Sequence, residues 1–271
     1  MSTEVVQPLP VRMSERGLDL HGRSGLVLGA TGGLGQAIVA ELLAHGARLF
    51  VHGATNKSAL ADLCAHPEVE GQLADFEEPG VIELLFDEVE RWCKGELGFM
   101  VYCAGVNPSA TSVAETDLHH WDRSFAVNTR GAFLALKCGL PLLRGADPGK
   151  VVLVSSIFGI EGPANRGAYA ASKHALTGLL QSTSKEEGTS VHLNAVCPGP
   201  AWGENVMRIF VDHARRRGVS VEEYSKERVR GIPAGRFVEP MEFARVVALY
   251  CSRVTDYVSG EVIRVTGGAA Q

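Results

Sequence analysis

The sequence predicts an α/β fold in which a single domain is built on a doubly wound parallel sheet of about seven strands, with helices on both faces. Short apolar runs typical of buried parallel strands alternate with longer segments whose apolar residues recur at helical spacing. A glycine-rich turn joins the first strand to the first helix. A length of 271 residues suits one α/β domain, and the chain shows no repeat beyond this alternation. We therefore expect one domain over residues 21–271, preceded by a flexible N-terminal arm over residues 1–20.

Composition narrows the classes of partner. Hydrophobic residues make up 45% of the chain and charged residues 21%, as in ordinary globular proteins. A net charge of -5 favours neither nucleic acid nor an anionic membrane as a partner. No stretch approaches the roughly 20 apolar residues of a membrane span, and no apolar signal core opens the chain. These numbers bound the class of protein and little more.

The six cysteines are scattered through the chain, without a Cys-x-x-Cys pair or histidines at metal-ligand spacing. We expect them to be reduced and packed in apolar elements, which favours a cytoplasmic location. No metal site is predicted.

The first strand and helix enclose the clearest binding motif. Leu26–Leu28 forms an apolar run, and the segment from Gln36 to Gly46 has apolar positions at helical spacing with a glycine at its end. Between them, Gly29, Gly33 and Gly35 allow a sharp turn and a close backbone approach to a pyrophosphate, whose charge suits a helix N-terminus. Strand, glycine turn and helix are the context of a Rossmann-type dinucleotide site.

The end of the second strand bears on the choice of dinucleotide. The strand is predicted over Ala47–His52, and no Asp or Glu follows it to bind the ribose hydroxyls of NAD. Thr55, Asn56 and Lys57 are candidate contacts for the additional phosphate of NADP. The sequence therefore favours NADP(H), with NAD(H) possible, since the arginine usual for NADP is missing too.

A candidate catalytic segment follows the apolar strand Val151–Val154. It places Ser156 at the strand end, and it places Tyr169 and Lys173 four residues apart, on one face of a predicted helix. A neighbouring ammonium lowers the pKa of a tyrosine, and a serine hydroxyl can orient a carbonyl oxygen for protonation. The alternative is that the Tyr–Lys spacing is incidental and that the serine caps a turn.

The segment Tyr-Ala-Ala-Ser-Lys, with Ser156 thirteen positions before its tyrosine, resembles the active site of the short-chain dehydrogenase/reductase family. The spacing Gly-x-x-x-Gly-x-Gly at residues 29–35 is similar to that family's nucleotide motif, although Leu28 stands where the family usually has Thr. The resemblance covers nearly all of residues 20–270. It implies a nicotinamide-dependent oxidoreductase.

The resemblance also implies a set of dinucleotide contacts. These are Gly29, Thr31, Gly32, Gly33, Leu34, Gly35, Gly53, Ala54, Thr55, Asn56, Asp75, Phe76, Cys103, Ala104, Gly105, Pro198, Gly199, Pro200 and Ala201, together with Asn128, Tyr169 and Lys173. Asp75 has an equally good interpretation as the cap of a helix starting near Glu78. The family's Asn-Asn-Ala-Gly appears here as Tyr102-Cys103-Ala104-Gly105, and Cys103 is interpreted as a small packed hydrophobe.

A fourth catalytic position is implied at Asn128, within a helix predicted around Trp121–Gly131. Asparagine is unfavourable inside a helix unless its amide is used. In the family this residue holds a water that links the lysine to solvent, as a proton relay. The alternative is a hydrogen-bonded core asparagine without a catalytic role.

The segment 202–235 is expected to be an amphipathic helical lid over the substrate, as the family implies. Arg215, Arg216 and Arg217 could attract an acidic substrate or carrier, but they point in different directions on a helix, which favours a solvated basic surface. Gly203 replaces a threonine that the family often has here. The lid is where substrate specificity is expected.

The implied reaction is hydride transfer between a nicotinamide and a carbonyl or secondary alcohol. Tyr169 would be the acid/base, Lys173 would lower its pKa and contact the ribose, and Ser156 would orient the carbonyl. Residues 231–237 and the final Val-Thr-Gly-Gly most resemble the 3-oxoacyl-carrier-protein reductase branch, so a ketone or 3-oxoacyl reductase is predicted.

Other functions stay open. A secondary-alcohol or sugar dehydrogenase that uses NAD is the first alternative, and a nucleotide-sensing binding protein is the alternative outside enzymes. A sugar-nucleotide epimerase or dehydratase is disfavoured because no larger C-terminal substrate domain is present. The resemblance implies a homotetramer or homodimer that pairs the active-site helix through Ala168, Ala170, Ala171, Ala175 and Gly178.

Overall fold

The computed structural model describes residues 18–201 and 203–269. Seven strands form one sheet: β1 Ser24–Leu28, β2 Arg48–Gly53, β3 Val69–Leu73, β4 Phe99–Tyr102, β5 Gly149–Val154, β6 Val191–Pro198 and β7 Val262–Val265. Their order across the sheet is β3-β2-β1-β4-β5-β6-β7, and every pairing is parallel. The predicted doubly wound parallel sheet is confirmed.

Nine α-helices accompany these strands in the described part of the chain. They are α1 Gly33–Ala44, α2 Lys57–Cys64, α3 Val81–Cys93, α4 Leu118–Phe125, α5 Gly131–Leu143, α6 Gly167–Glu187, α7 Glu204–Arg217, α8 Val221–Arg230 and α9 Pro240–Cys251. A single π-turn, Ala126–Arg130, joins α4 to α5.

Apolar side chains cover both faces of the sheet, because successive residues of a strand point to opposite sides. Leu26 and Leu28 pack on the side of α3, α5 and α6, while Val27 packs on the side of α1 and α9. Helices on both faces leave the strand ends as the accessible edges of the sheet. The carboxyl edge is therefore where a ligand site is expected.

The register of the central strands places four strand ends side by side. Leu28 pairs with His52 on one side and with Tyr102 on the other, and Tyr102 pairs in turn with Leu153. The loops that leave β1, β2, β4 and β5 consequently start at the same level of the sheet.

The N-terminal boundary differs in part from the prediction. Residues 1–17 of the predicted arm lie outside the described residues. Leu20, which the prediction included in that arm, is fully buried, and its backbone N–H donates to the carbonyl of His45 at 3.1 Å. The packed part of the chain therefore begins before residue 21.

Candidate active site

The glycine turn after β1 is shaped by close backbone packing. Gly29 has φ +86°, and a Cβ there would lie 2.5 Å from the backbone nitrogen of Ala104. A Cβ on Gly35 would lie 2.2 Å from the carbonyl oxygen of Gly29. Real Cβ atoms do not approach backbone this closely, so both positions require glycine. The turn thus brings β1, α1 and the end of β4 into direct contact.

The start of α1 leaves room for a dinucleotide. Gly32 is the N-cap residue, and no side chain caps the helix there. A Cβ on Gly33 would meet nothing within 4 Å. Uncapped N–H groups at a helix N-terminus, next to open space, fit a pyrophosphate. The Thr31 carbonyl accepts a hydrogen bond from the Gln36 side-chain amide at 3.0 Å. Leu34 is half-buried in the first turn of α1.

His52, at the end of β2, supports this turn and was not predicted as a site residue. Its Nδ1 accepts a hydrogen bond from the N–H of Gly29 at 3.2 Å, and its Nε2 lies 2.7 Å from the carbonyl of Ala74. The ring stacks on Phe76 with centroids 4.1 Å apart. Burial lowers the pKa of His52 to about 4, so the ring is neutral at physiological pH and can accept and donate at once.

The strand end that would bind the adenosine ribose lies at the surface. Gly53 is buried, and a Cβ there would lie 2.5 Å from the Thr31 side chain, whereas Ala54, Thr55 and Asn56 are exposed. The Asn56 side chain caps α2, because its Oδ1 accepts a hydrogen bond from the Ala59 N–H at 3.1 Å. Thr55 is also a predicted contact of this strand end. Its side chain is exposed and takes no part in the cap of α2.

Beyond β3, the two predicted adenine contacts differ. Asp75 is half-buried and closes a turn, since its Oδ1 accepts a hydrogen bond from the Glu77 N–H at 3.1 Å. The helix-cap interpretation of Asp75 is wrong, because α3 begins at Val81 with Gly80 as its N-cap. The Phe76 side chain is buried in the core, so it presents only backbone atoms to a ligand.

Tyr102 replaces the first asparagine of the family motif and has a defined role in packing. Its hydroxyl donates to the carbonyl of Val127 at 2.5 Å, and its side chain is fully buried. A Cβ on Gly131 would lie 2.4 Å from that hydroxyl, so a glycine at the start of α5 makes room for the tyrosine. Tyr102 thereby fastens the end of β4 to the π-turn that carries Asn128.

Cys103, Ala104 and Gly105 continue from Tyr102 towards the catalytic residues. Burial raises the pKa of the Cys103 thiol to about 11, although the charge of Lys173 acts in the opposite direction. The thiol is therefore protonated at neutral pH, as expected of a packed cysteine. A Cβ on Gly105 would lie 3.2 Å from both the Asn128 Oδ1 and the Lys173 Nζ, so glycine lets these two groups approach the backbone.

Asn128 lies in the π-turn and is fully buried. Its Oδ1 accepts a hydrogen bond from the Val106 N–H at 2.8 Å, and its Nδ2 donates to the Val106 carbonyl at 3.0 Å and to the Ser172 hydroxyl at 2.9 Å. The amide is fully used in joining the loop after β4 to α6. A hydrogen-bonded amide accounts for an asparagine at this position, and its part in a proton relay stays a prediction.

The structure brings Ser156, Tyr169 and Lys173 together at the carboxyl end of β5. Ser156 is buried, and its Oγ accepts a hydrogen bond from the Phe158 N–H at 3.1 Å, which leaves its own proton free to donate. The Lys173 Nζ donates to the Val154 carbonyl at 3.0 Å. The helix α6 begins at Gly167, so Tyr169 and Lys173 lie in its first two turns.

The pKa of Tyr169 differs from the expectation. Burial raises it above its ordinary value, and this outweighs the opposing effects of the hydrogen bond with Ser156 and of the charge of Arg166. Burial also lowers the pKa of Lys173 to about 8. The expected lowering of the tyrosine pKa by Lys173 is therefore not seen, and Arg166, which the sequence analysis did not select, supplies the charge that acts on Tyr169.

The loop after β6 lies along β7. The N–H of Gly199 donates to the Val265 carbonyl at 3.0 Å, and a Cβ on Gly199 would lie 3.1 Å from the Cα of Thr266. The Pro200 carbonyl accepts from Val238 at 3.1 Å, and Ala201 is buried. Pro198, Gly199, Pro200 and Ala201 thus stand at the same carboxyl edge as the catalytic residues.

The segment predicted as one amphipathic lid contains two helices, α7 and α8. A small apolar cluster joins them, formed by Phe210, Ala214, Tyr224, Ile232 and Phe237. Phe210 and Ala214 are buried, whereas Val211 between them is 52% exposed. The buried face of α7 therefore includes Phe210 and Ala214.

Among the described residues, no helix is long and apolar enough to cross a membrane. Within residues 18–201 and 203–269, no three His, Cys, Asp or Glu side chains cluster as metal ligands. All six cysteines are free.

Comparisons with known proteins agree with the family resemblance of the sequence motifs. A family model described as enoyl-(acyl carrier protein) reductase matches residues 29–270. The chain is 29% identical to D-beta-hydroxybutyrate dehydrogenase of Cupriavidus necator, over 92% of this chain and 98% of that one. It is 30% identical to the chloroplastic NADPH-dependent aldehyde reductase 2 of Arabidopsis thaliana, over 93% of this chain and 95% of that one.

Among solved structures, the Pseudomonas aeruginosa RhlG/NADP active-site complex superimposes with a TM-score of 0.83 at 25% identity, covering 94% of this chain and 98% of that one. The similarity spans the glycine turn, the catalytic segment and the last strand. The chain therefore belongs to the short-chain dehydrogenase/reductase family.

Proposed function

We propose that the protein is an NAD(P)-dependent oxidoreductase that interconverts a carbonyl and a secondary alcohol, working as a ketone or 3-oxoacyl reductase. The observation that carries the proposal is the placement of Ser156, Tyr169 and Lys173 at one strand end, beside the open glycine turn of α1. Relatives named as a hydroxybutyrate dehydrogenase, a levodione reductase and a 3-oxoacyl-carrier-protein reductase support the reaction class.

In the proposed reaction Tyr169 protonates the carbonyl oxygen. A bound nicotinamide dinucleotide supplies the hydride. The raised pKa of Tyr169 keeps its phenol protonated at neutral pH, which is the form that donates a proton to a carbonyl. Ser156 donates its hydroxyl proton to the same oxygen, since its Oγ lone pair is already held by the Phe158 N–H.

Lys173 and Asn128 support the tyrosine. The ammonium of Lys173 uses one N–H on the Val154 carbonyl, and the others remain for the ribose and for stabilising the phenolate left after proton transfer. The backbone of Asn128 is proposed to hold the water that returns a proton to Lys173. Its buried amide fixes the position of that backbone relative to α6.

We propose NADP(H) as the favoured dinucleotide, with NAD(H) possible. No carboxylate stands at residues 53–57, and the exposed Thr55 and Lys57 suit a ribose phosphate. Fluorescence titration with NADPH and NADH tests this choice. A preference of tenfold or more for NADPH is expected, and equal or tighter binding of NADH would contradict it.

The variant Tyr169→Phe tests whether the protein is an enzyme or a nucleotide-sensing binding protein. With a panel of ketones and 3-oxoacyl compounds, we expect turnover to fall about 10²- to 10⁴-fold, the usual range for loss of a general acid. Dinucleotide affinity should change less than threefold. Dinucleotide binding without turnover of any compound by the unaltered protein would favour the sensor.

We propose a homotetramer or homodimer assembled through α6 and its neighbours α4 and α5. Leu118 is 69% exposed and Phe133 48%, and a Cβ on Gly178 would meet nothing within 4 Å. Ala168 and Ala170 are buried within the chain and drop out of the predicted interface. Light scattering after size exclusion tests the assembly, and a monomer would refute it.

We propose a cytoplasmic location on the basis of the six free cysteines. Fractionation of the native cell with an antibody to this chain tests it. Recovery in an oxidising compartment would contradict the proposal.

A further inference from the structure

A narrow polar cleft opens beside Tyr169. Three segments line it: the loop after β4, the approach to α4, and the turn that starts α6. The lining residues are Pro108, Ser109, Thr111, Thr116, His120, Asn165, Arg166, Gly167, Ala168 and Tyr169. The cleft has room for about one water-sized group, so only a small terminal group of a substrate would enter it beside the proposed acid.

Arg166 is the cationic residue of this cleft and is half-buried. Its Nη1 donates to the Asn107 Oδ1 at 3.1 Å and to the Pro108 carbonyl at 2.8 Å, and its Nη2 donates to the His213 Nε2 at 3.3 Å. All three acceptors are neutral. A guanidinium has five N–H donors, so two remain for a ligand.

Several arginines of the chain are paired with carboxylates. Arg144 lies 2.6 Å from Glu187, and Arg236 lies 2.6 Å from Glu242. Others are held by neutral groups, as where Arg23 donates to three backbone carbonyls. Arg166 belongs to this second group, and it lines a cleft.

Burial has the largest effect on Arg166 and lowers its pKa. Arg228 and Arg216 add to this effect by repulsion, while Tyr169 and Tyr224 act in the opposite direction. Asp212 is a nearby carboxylate among the described side chains, and it is paired with Arg216 at 3.0 Å. A partly desolvated cation with two other cations nearby is stabilised when an anion binds beside it.

His213 connects Arg166 to the lid. Because arginine can only donate, the His213 Nε2 must accept, and the proton of the neutral ring is then on Nδ1. Nδ1 lies 3.2 Å from the Tyr224 hydroxyl, in the neighbouring helix α8. Burial lowers the pKa of His213, and repulsion by Arg166 adds to this effect, which keeps the ring neutral. The lid helices are therefore fastened to the same guanidinium that faces the cleft.

We propose that Arg166 binds an anionic group of the substrate, a carboxylate or a phosphate, and so restricts the enzyme to short oxo or hydroxy compounds that carry one. The inference rests on the proposed function, because it assigns the substrate class of that site. Arg166 and Tyr169 line the same cleft, so an anion on Arg166 and a carbonyl facing Tyr169 can belong to one short substrate. Binding of the anion beside His213 also holds α7 and α8 over the substrate.

Matched pairs of compounds test the proposal. We would compare acetoacetate with its methyl ester, and dihydroxyacetone phosphate with dihydroxyacetone, in the unaltered enzyme and in Arg166→Gln. The unaltered enzyme should favour the anion of at least one pair tenfold or more in kcat/KM. Arg166→Gln should lower kcat/KM for that anion about 10- to 100-fold, the range for losing a charged hydrogen bond. The neutral partner should change less than threefold.

Two further variants sharpen the result. Arg166→Lys keeps the charge but not the forked geometry, so it should recover part of the activity on the anion. Arg215→Gln removes an exposed charge from the same lid and should leave both compounds of a pair unaffected. The preferred pair identifies the anion: acetoacetate indicates a carboxylate site, and dihydroxyacetone phosphate a phosphate site. Equal losses for the anionic and neutral compounds in Arg166→Gln would overturn the proposal.

A binding measurement separates this proposal from the reaction itself. Calorimetry with the dinucleotide present would compare four compounds that cannot be reduced: butyrate, its neutral analogue butyramide, glycerol 3-phosphate and glycerol. Anion binding that is lost in Arg166→Gln, without turnover of any carbonyl compound, would support the anion site and overturn the reductase assignment. Turnover of the neutral carbonyl compounds with no preference for anions would support the reductase assignment and overturn the anion site.

Discussion

The two halves of the site are held together by different forces. In the nucleotide half, around the end of β1, backbone packs directly on backbone, as where Gly29 meets Ala104 and Gly35 meets Gly29. In the catalytic half, beyond β4, side chains make the connections, as where Asn128 joins the loop after β4 to Ser172, and Arg166 joins it to His213.

This difference explains what each half can tolerate. Backbone contacts in the nucleotide half depend on the absence of a side chain, so almost any substitution of a contact glycine must disturb them. Polar contacts in the catalytic half depend on the charge and hydrogen-bonding capacity of particular groups. The first half should be sensitive to volume, and the second to charge and pH.

The largest effect is expected at Gly35. A Cβ there would lie 2.2 Å from the Gly29 carbonyl, whereas a Cβ on Gly33 would meet nothing within 4 Å. Gly35→Ala should therefore lower the free energy of unfolding by about 3 kcal/mol, the upper end for overpacking. Gly33→Ala should change it by less than about 0.5 kcal/mol and weaken dinucleotide binding about tenfold, because its methyl group points to open space proposed for the ligand.

Urea unfolding and dinucleotide titration of both variants measure these effects. If Gly35→Ala were as stable as the unaltered protein, backbone packing would not be what shapes this half. Equal dinucleotide affinity for Gly33→Ala and the unaltered protein would place the ligand elsewhere.

The fold was predictable because its determinants are local in sequence. Each strand is an apolar run, and the glycine turn has its contacts built into residues 29–35. Ser156, Tyr169 and Lys173 were found by their spacing together with the family resemblance, and a strand end and the first turns of α6 fix their relative positions. Parallel packing then brings the strand ends to one edge, as predicted.

Contacts between distant segments were not predictable in the same way. In the sequence His52 looks like an ordinary residue of a buried strand. Only its hydrogen bonds with Gly29 and Ala74 show that it supports the turn. Arg166 meets His213, 47 residues later, in the predicted lid, and nothing in the sequence indicated this contact. The sequence contained the signal of a break in the lid, at Gly218 before Ser220, which forms a capping box with Glu223.

The second prediction concerns pH. The pKa of Lys173 is about 8, against an ordinary value of 10.5, so the protonated form destabilises the folded state. The resulting loss in the free energy of unfolding is complete below pH 8. It disappears as the pH rises towards 10.5, because between these two values only the unfolded chain binds the proton. We expect Lys173→Met to gain stability relative to the unaltered protein at pH 7, and this difference to shrink by about 2 kcal/mol at pH 9.5.

The measurement is urea unfolding of both proteins at several pH values without added dinucleotide. The charge of Lys173 lowers the pKa of the Cys103 and Cys197 thiols, so the two proteins are compared in a background that carries Cys103→Ala and Cys197→Ala. His52 provides a contrast in the nucleotide half, since its pKa of about 4 makes stability rise with pH only up to about 6.5. A difference between the two proteins that does not vary with pH would show that Lys173 is neutral or well solvated.

The smallest effect is expected at the boundary between the halves, where Tyr102 donates to the Val127 carbonyl at 2.5 Å. Tyr102→Phe leaves that carbonyl buried without its partner, which should cost about 1 kcal/mol of stability. The π-turn would then be less firmly held, so Asn128 should shift relative to Lys173 and move the pH profile of kcat. Tyr257→Phe, which alters an exposed side chain, serves as the control and should change neither quantity. Loss of stability with an unchanged pH profile would mean that Tyr102 only packs the strand, and that the two halves of the site are mechanically independent.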